Sequence, residues 1–256
     1  MLHEETVEAG TLALIRRLTA DNVLKDFVLV GGTALSLQLG HRKSIDSDLF
    51  TARGFDPKLV GGHIDVAYKG EKITVLGNSV FAKIDGIKTD IIAHRYEWIQ
   101  PVKEIDGIRM ASLEDIAAMK LNAIVNSGQR LKDYFDIHFL LEQRSLGELT
   151  AAYAAKYPEM NVTIAKNALL YHKEIDFKVD LELLDKELKW AEVKKRLKEA
   201  VVEPKRVFGV KQAPKIEHSK DEETHSQQMR KGGDGKYVRR PVEFSFSATL
   251  HLSWMA

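Results

Sequence analysis

Apolar positions recur at helical intervals near the start of the chain (Val7, Leu12, Leu14, Ile15, Leu18), with Arg16 and Arg17 opposite, and predict an amphipathic helix over residues 4 to 20. A β-rich run, Phe27-Val28-Leu29-Val30, then halts at Gly31-Gly32, the pattern of a buried strand ending in a tight turn. Thr33 can cap the helix that follows, whose Ala34, Leu35, Leu37 and Leu39 suit burial and which Gly40 ends. From Ser44 to Phe50 the pattern alternates, with Asp46 and Asp48 on one strand face and Ile45, Ser47 and Leu49 on the other.

Further strands are predicted over Ile73 to Leu76, Val80 to Ile84 and Ile87 to Ala93, the last two joined by Asp85-Gly86, a strong two-residue hairpin signal. The sheet is therefore mixed. In its last strand Lys88, Asp90 and Ile92 share a face, so Asp90 offers a third carboxylate that can meet the first two across the sheet. From Ser112 the period becomes helical: Ser112-Leu113-Glu114-Asp115 resembles a capping box, Ile116, Ala117, Lys120, Leu121 and Ile124 follow, and Asn126-Ser127-Gly128 breaks the helix. A second helix carries Arg130 to Leu141, and further helical segments run to about residue 200. The expected architecture is α+β: a mixed-sheet domain over residues 1–110, a helical domain over 111–203 that completes a cleft, and a polar, poorly ordered tail over 204–256.

Composition narrows the chemistry. The 44% hydrophobic content supports a substantial core, and 38 Lys and Arg against 37 Asp and Glu leave no global positive field for sequence-independent nucleic-acid binding, only room for a local basic patch. The absence of cysteine excludes disulfides, thiolate zinc sites and cysteine nucleophiles, so a metal must sit on carboxylates or histidines. The acidic start MLHEETVEAG is unlike a secretory signal, and no run approaches the ~18 apolar residues of a membrane span, so the expected location is cytoplasmic with no membrane partner.

Nucleotidyl transfer needs a triphosphate's charge neutralised and two oxygens held in line, work suited to divalent metals on closely spaced carboxylates. Asp46 and Asp48 supply such a pair, and their hard oxygens select magnesium or manganese. Gly31-Gly32 lets backbone N–H groups and the following helix N-terminus approach phosphate oxygens. Each element alone is more often structural; their order within twenty residues makes the combination specific.

Gly31-Gly32-Thr33-Ala34-Leu35 with His41-Arg42-x-Ser44-x-Asp46-x-Asp48-Leu49-Phe50 resembles the DNA polymerase β-type nucleotidyltransferase superfamily and, within it, the AbiEii toxins of bacterial type IV toxin–antitoxin and abortive-infection systems. Lys88-Thr89-Asp90 is similar to that family's K-x-D strand, and Arg130-x-Lys132-Asp133-x-x-Asp136 to its R-x-K-D-x-x-D helix. The resemblance implies a polymerase β-like fold, with Asp46 and Asp48 binding metal and Asp90 as the third carboxylate, able to ligate metal or to take the acceptor's proton. Gly31, Gly32 and Thr33 would hold the triphosphate, Ser44 would belong to the same cradle, Lys120 would neutralise phosphate charge and Asp133 would line the cleft. Other residues keep two readings: Lys88 as phosphate ligand or exposed strand charge, His41 and Arg42 as phosphate contacts or C-terminal helix caps. Arg130 and Lys132 also read as surface charges, and Asp136 as a partner of Lys132 at helical i,i+4 spacing, worth about 0.2–0.5 kcal/mol. The family's wider pattern has a glutamine four residues before the helical lysine, where this chain has Ile116.

The resemblance implies an enzyme that moves a nucleotide from an NTP to an acceptor such as the 3′ end of tRNA and acts as a toxin countered by an antitoxin from a neighbouring gene, with a role in phage defence. An acceptor that is a small molecule of the aminoglycoside kind, or a protein side chain, is the second reading. An inactive NTP-binding regulator is the third, and the presence of all three carboxylates gives it no support.

Overall fold

In the computed structural model, which describes residues 1–209, the β-rich runs become strands of one sheet: β1 (Val28–Leu29), β2 (Ser47–Thr51), β3 (Glu71–Leu76), β4 (Ser79–Ile84), β5 (Ile87–Ala93), β6 (Lys103–Ile105) and β7 (Ile108–Met110). Their spatial order is β3-β4-β5-β2-β1-β7-β6. β2 runs parallel to β5 and β1 parallel to β7, while the remaining neighbours are antiparallel, so the sheet is mixed. Asp85 and Gly86, both at positive φ, close the β4–β5 hairpin, as their sequence requires. Asp106 and Gly107 repeat the device between β6 and β7, a hairpin the hydrophobic pattern did not announce because each strand is only three residues long.

The helices are α1 (Ala9–Ala20), α2 (Gly31–Leu39), α3 (Pro57–Tyr68), α4 (Leu113–Asn126), α5 (Leu131–Leu140), α6 (Leu146–Lys156), α7 (Val162–Ala168) and α8 (Trp190–Val202). The expected single opening helix divides into a 3-10 turn at Glu4–Thr6 and α1, because Val7 leaves helical geometry to bridge Ser44. α3 was not foreseen, although its start is marked by Asp56, whose carboxylate accepts from the Lys58 and Leu59 amides, and by Pro57 at the first helical position. Ser112 caps α4 by accepting from the Asp115 amide; Asp115 does not return the bond to the cap's N–H but accepts from the Ile99 and Gln100 amides and from Lys156 at 2.9 Å. A complete capping box forms instead at Ser145 and Glu148.

One apolar core joins sheet and helices: Leu29, Leu49 and Ile91 from central strands, Leu35 and Leu37 from α2, and Ile116 and Leu121 from α4 are all essentially inaccessible. At about 1.5–3 kcal/mol for each fully buried aliphatic side chain, this core anchors the elements that carry the polar site. Ile116 belongs to it, which explains an apolar residue where the family pattern has glutamine. The expected helical run to residue 200 is interrupted between α7 and α8, where the chain bridges back so that Lys43 donates to Glu182, Leu184 to His41 and Asp176 to Gln129. At the start of the segment expected to form the tail, Gly147 donates to Pro204 and Phe208 to Leu141; the rest of that segment lies outside the described residues. Among the described residues no helix is long and apolar enough to cross a membrane.

Candidate active site

β2 and β5 lie side by side at the centre of the sheet in a register that pairs Asp48 with Asp90, so both carboxylates leave the same sheet face. The Asp48 carboxyl is pushed up to about 6 by burial first, then by repulsion from Asp90 and Asp46, with Lys88 and Arg130 opposing. Lys88 Nζ donates to Asp90 Oδ2 at 2.5 Å, and against the cost of burial this contact holds the Lys88 ammonium above its usual range. Asp90 Oδ1 is buried with no hydrogen-bond partner among the described residues.

Asp46 stands one residue before β2, not within it, and Ile45, expected on the strand face shared with Ser47 and Leu49, is 58% exposed while those two are buried. The cause is Thr33. Instead of capping α2, whose N-cap is Val30, Thr33 donates to the Asp46 carbonyl at 2.5 Å and lies 2.8 Å from Ser44 Oγ, tying the segment before β2 onto the first turn of α2.

The two glycines do different work. Gly31 sits at φ +70°, where a β-carbon would be strained and would lie 2.5 Å from Asp48 Oδ2, so glycine admits this carboxylate to the N-terminus of α2. A β-carbon on Gly32 would overlap the guanidinium of Arg42.

Arg42 leads into a buried polar hub. Asp136 is fully buried and accepts from Arg42 Nε at 2.7 Å, Arg42 Nη2 at 3.1 Å and His41 Nε2 at 2.8 Å, while Lys120 Nζ lies 2.7 Å away. Lys120 also donates to Asp133 at 2.6 Å, and Arg130 Nε stands 3.5 Å from the other Asp133 oxygen. Burial works against the Asp136 charge, but Arg42 and Lys120 hold its carboxyl well below the usual range. Burial pushes His41 down despite Asp136, whose Oδ1 lies 2.8 Å from its Nε2.

The structure thus brings together two groups. Asp46, Asp48 and Asp90 interact electrostatically beneath the Gly31 turn, with Lys88, Arg130 and Lys132 within their field. Arg42, Lys120, Asp133 and Asp136 form a charge-compensated hub that joins α2, α4 and α5. Lys120, only 2% exposed, therefore directs its charge to two aspartates. Asp136 pairs with Arg42 across 94 residues, not with Lys132 on its own helix, and its role as hub was not visible in the helical spacing.

A mixed sheet with adjacent acidic strands beside a Gly-Gly helix start, closed by a helical layer, is the arrangement that the resemblance to nucleotidyltransferases implies. The AbiEii family, described as nucleotidyl transferase AbiEii toxin of type IV toxin–antitoxin systems, matches residues 13–199, and the chain belongs to it. The chain is 32% identical over 195 residues to the uncharacterized protein aq_aa25 of Aquifex aeolicus (strain VF5), covering 74% of this chain and 93% of that one. Among solved structures it is similar to JHP933 from Helicobacter pylori (20% identity, 77% of this chain and 92% of that one, TM-score 0.48). It is also similar to the Megavirus polyadenylate synthase (16% identity, 50% and 30%, TM-score 0.37).

Proposed function

We propose that the chain transfers a nucleotidyl group from an NTP to a hydroxyl of RNA, such as the 3′ end of tRNA, with magnesium or manganese, as the toxin of a type IV pair whose second gene encodes the antitoxin. One observation carries this reading: Asp48 and Asp90 in register beneath the Gly31 turn, with the Asp48 carboxyl raised to about 6 by burial and by its acidic neighbours. Stored like charge of this kind is what a divalent cation relieves.

The donor set fits such an ion. Among the described residues no three His, Asp or Glu side chains stand close enough to hold a metal by themselves. Magnesium, however, is ordinarily held by one or two carboxylates together with substrate phosphates, and Asp48 and Asp90 Oδ1, with Asp46 beside them, offer that set. When bound, the ion supplies charge neutralisation and alignment at the α-phosphate. The backbone N–H groups of Gly31 and Gly32 at the start of α2 face phosphate oxygens, and Thr33 and Ser44 hold the Asp46 segment against them. Lys88, Arg130 and Lys132 neutralise the triphosphate, while Lys120, Asp133 and Arg42 keep α4, α5 and the glycine turn in place. The acceptor oxygen bonds to the α-phosphorus as its proton passes to solvent, and the bond to the β-phosphate oxygen breaks to release pyrophosphate.

The test is incubation with each α-labelled NTP, magnesium and total RNA or lysate, beside Asp46→Ala. Label in RNA, absent with the variant, is the expected result. Label confined to protein or small molecules moves the acceptor, and NTP binding without transfer overturns catalysis. Growth arrest on expression should require Asp46.

A further inference from the structure

We infer that the groove between the end of α7 and the outer face of α8 docks single-stranded RNA backbone, apart from the carboxylate site; the inference rests on the RNA acceptor proposed above. The groove encloses about 460 Å³ and is lined by Leu170, His172, Ala191, Lys194, Lys195 and Lys198. Val193, Leu197 and Ala200 face the core, so the three lysines share the opposite side of α8.

Charge is what distinguishes this face from an ordinary solvated helix surface. No acidic residue lines the groove. Lys195 is 3.9 Å from Glu199, and Lys194 and Lys198 have no carboxylate partner among the described residues. Arg196 on the same turn, by contrast, is held by Glu142 at 2.7 Å and by the His138 carbonyl at 3.0 Å. In a chain of 38 basic and 37 acidic residues, two uncompensated ammonium groups and a third with only a distant carboxylate, gathered in one concavity, are a local exception.

The rest of the lining suits a nucleic acid better than a simple anion. Leu170 and the adjacent Tyr171 are 40% and 49% exposed, giving apolar and aromatic surface beside the ammonium groups, the combination on which unpaired bases and ribose-phosphate settle. Burial and Lys194 push His172 down against the Leu169 carbonyl, which lies 2.7 Å from its Nε2 and fixes the ring as part of the wall. α8 packs on α5, the helix that carries Asp133 and Asp136, so a strand in the groove is one helix away from the active site.

The test uses the full chain and fluorescence anisotropy with a labelled oligoadenylate RNA. A triple variant, Lys194→Gln with Lys195→Gln and Lys198→Gln, is compared with a control of equal charge change, Lys25→Gln with Lys58→Gln and Lys69→Gln. Loss of three phosphate contacts should lower RNA affinity about tenfold and reduce the slope of log K against log salt by about 2, at ~0.7 per contact. NTP binding should be unchanged, and a triple Lys→Arg variant of the groove should bind RNA as the parent does. The inference is overturned if the parent does not bind the RNA, if control and groove variants lose equally, if the arginine variant also fails, or if tripolyphosphate loses affinity while RNA does not. Transfer to RNA with binding unaffected by the groove variant would sink the groove and leave the function standing. Groove-dependent RNA binding with label only in protein or small molecules would do the reverse.

Discussion

Asp48→Asn should make the metal-free protein more stable at neutral pH while abolishing transfer. The Asp48 carboxyl titrates at about 6 in place of the ordinary 3.8, and this difference of about 2 pH units corresponds to roughly 3 kcal/mol at 1.36 kcal/mol each. The start of α2 at Gly31 favours the carboxylate by about 0.3–1 kcal/mol, and partial solvent access screens it further, leaving about 2 kcal/mol. Because the folded pKa is raised, the favourable contribution of Asp48 is complete below about pH 4, is lost as pH rises towards 6, and stays lost above. The isosteric amide does not ionise, so the variant should melt about 4–8 °C higher than the parent near pH 7.5, at roughly 2–4 °C per kcal/mol for a chain of this size. Calorimetry from about pH 4 to 8 in chelator measures the gap, which should close at the acid end. Adding magnesium and a non-reactive NTP analogue should raise the parent's melting temperature and leave the variant's nearly unchanged. A variant no more stable than the parent at about pH 7.5, or a gap independent of pH, would refute the account of Asp48 as a carboxylate held in a repulsive site.

Gly31→Ala should cost about 1–2 kcal/mol from its left-handed backbone alone, plus displacement of Asp48, and abolish transfer; Gly10→Ala in α1, where a β-carbon meets nothing, should be neutral or stabilising in the same denaturation assay. Asp136→Asn removes the acid that compensates Arg42 and Lys120, and urea unfolding should show a loss of about 3–5 kcal/mol. Lys156→Met strips the fully buried Asp115 of its cation while its amide donors remain, so a smaller loss, about 2–3 kcal/mol, is expected by the same measurement.

Local chemistry was the most readable part of this chain. Asp85-Gly86 demands the turn it forms, and the alternation in β5 places Asp90 on the face that meets Asp48. Asp56-Pro57 and Asp106-Gly107 carry equally local signals for α3 and the β6–β7 hairpin, but the short or glycine-interrupted segments they introduce lack a clear hydrophobic period. What no period reveals is pairing at long separation. His41 and Arg42 read as helix caps or phosphate contacts, and Asp136 as half of a surface pair, because the bonds that join them span the chain from α2 to α5. Thr33 was misassigned for a related reason: its hydroxyl has the right chemistry for a cap, and only the fold shows that the Asp46 carbonyl claims it.

The division between hub and carboxylate face decides which cations can serve a nucleotide. A buried cation that already has two aspartates gains little by turning to phosphate, because doing so strands those aspartates without compensation, at several kcal/mol. Lys120 is in that position and Arg42, bidentate on Asp136, is held as firmly; each is less than 4% exposed, with Asp136 shared between them. Lys88 is different. Its side chain is 60% exposed and its partner, Asp90, keeps one oxygen unsatisfied, so an arriving phosphate and cation can share that pair without leaving a buried charge alone. The same glycine turn serves both regions, Gly31 admitting Asp48 on one side and Gly32 admitting Arg42 on the other. The sequence needs two consecutive glycines here because two side chains of opposite charge, Asp48 and Arg42, approach the first turn of α2 more closely than a β-carbon allows.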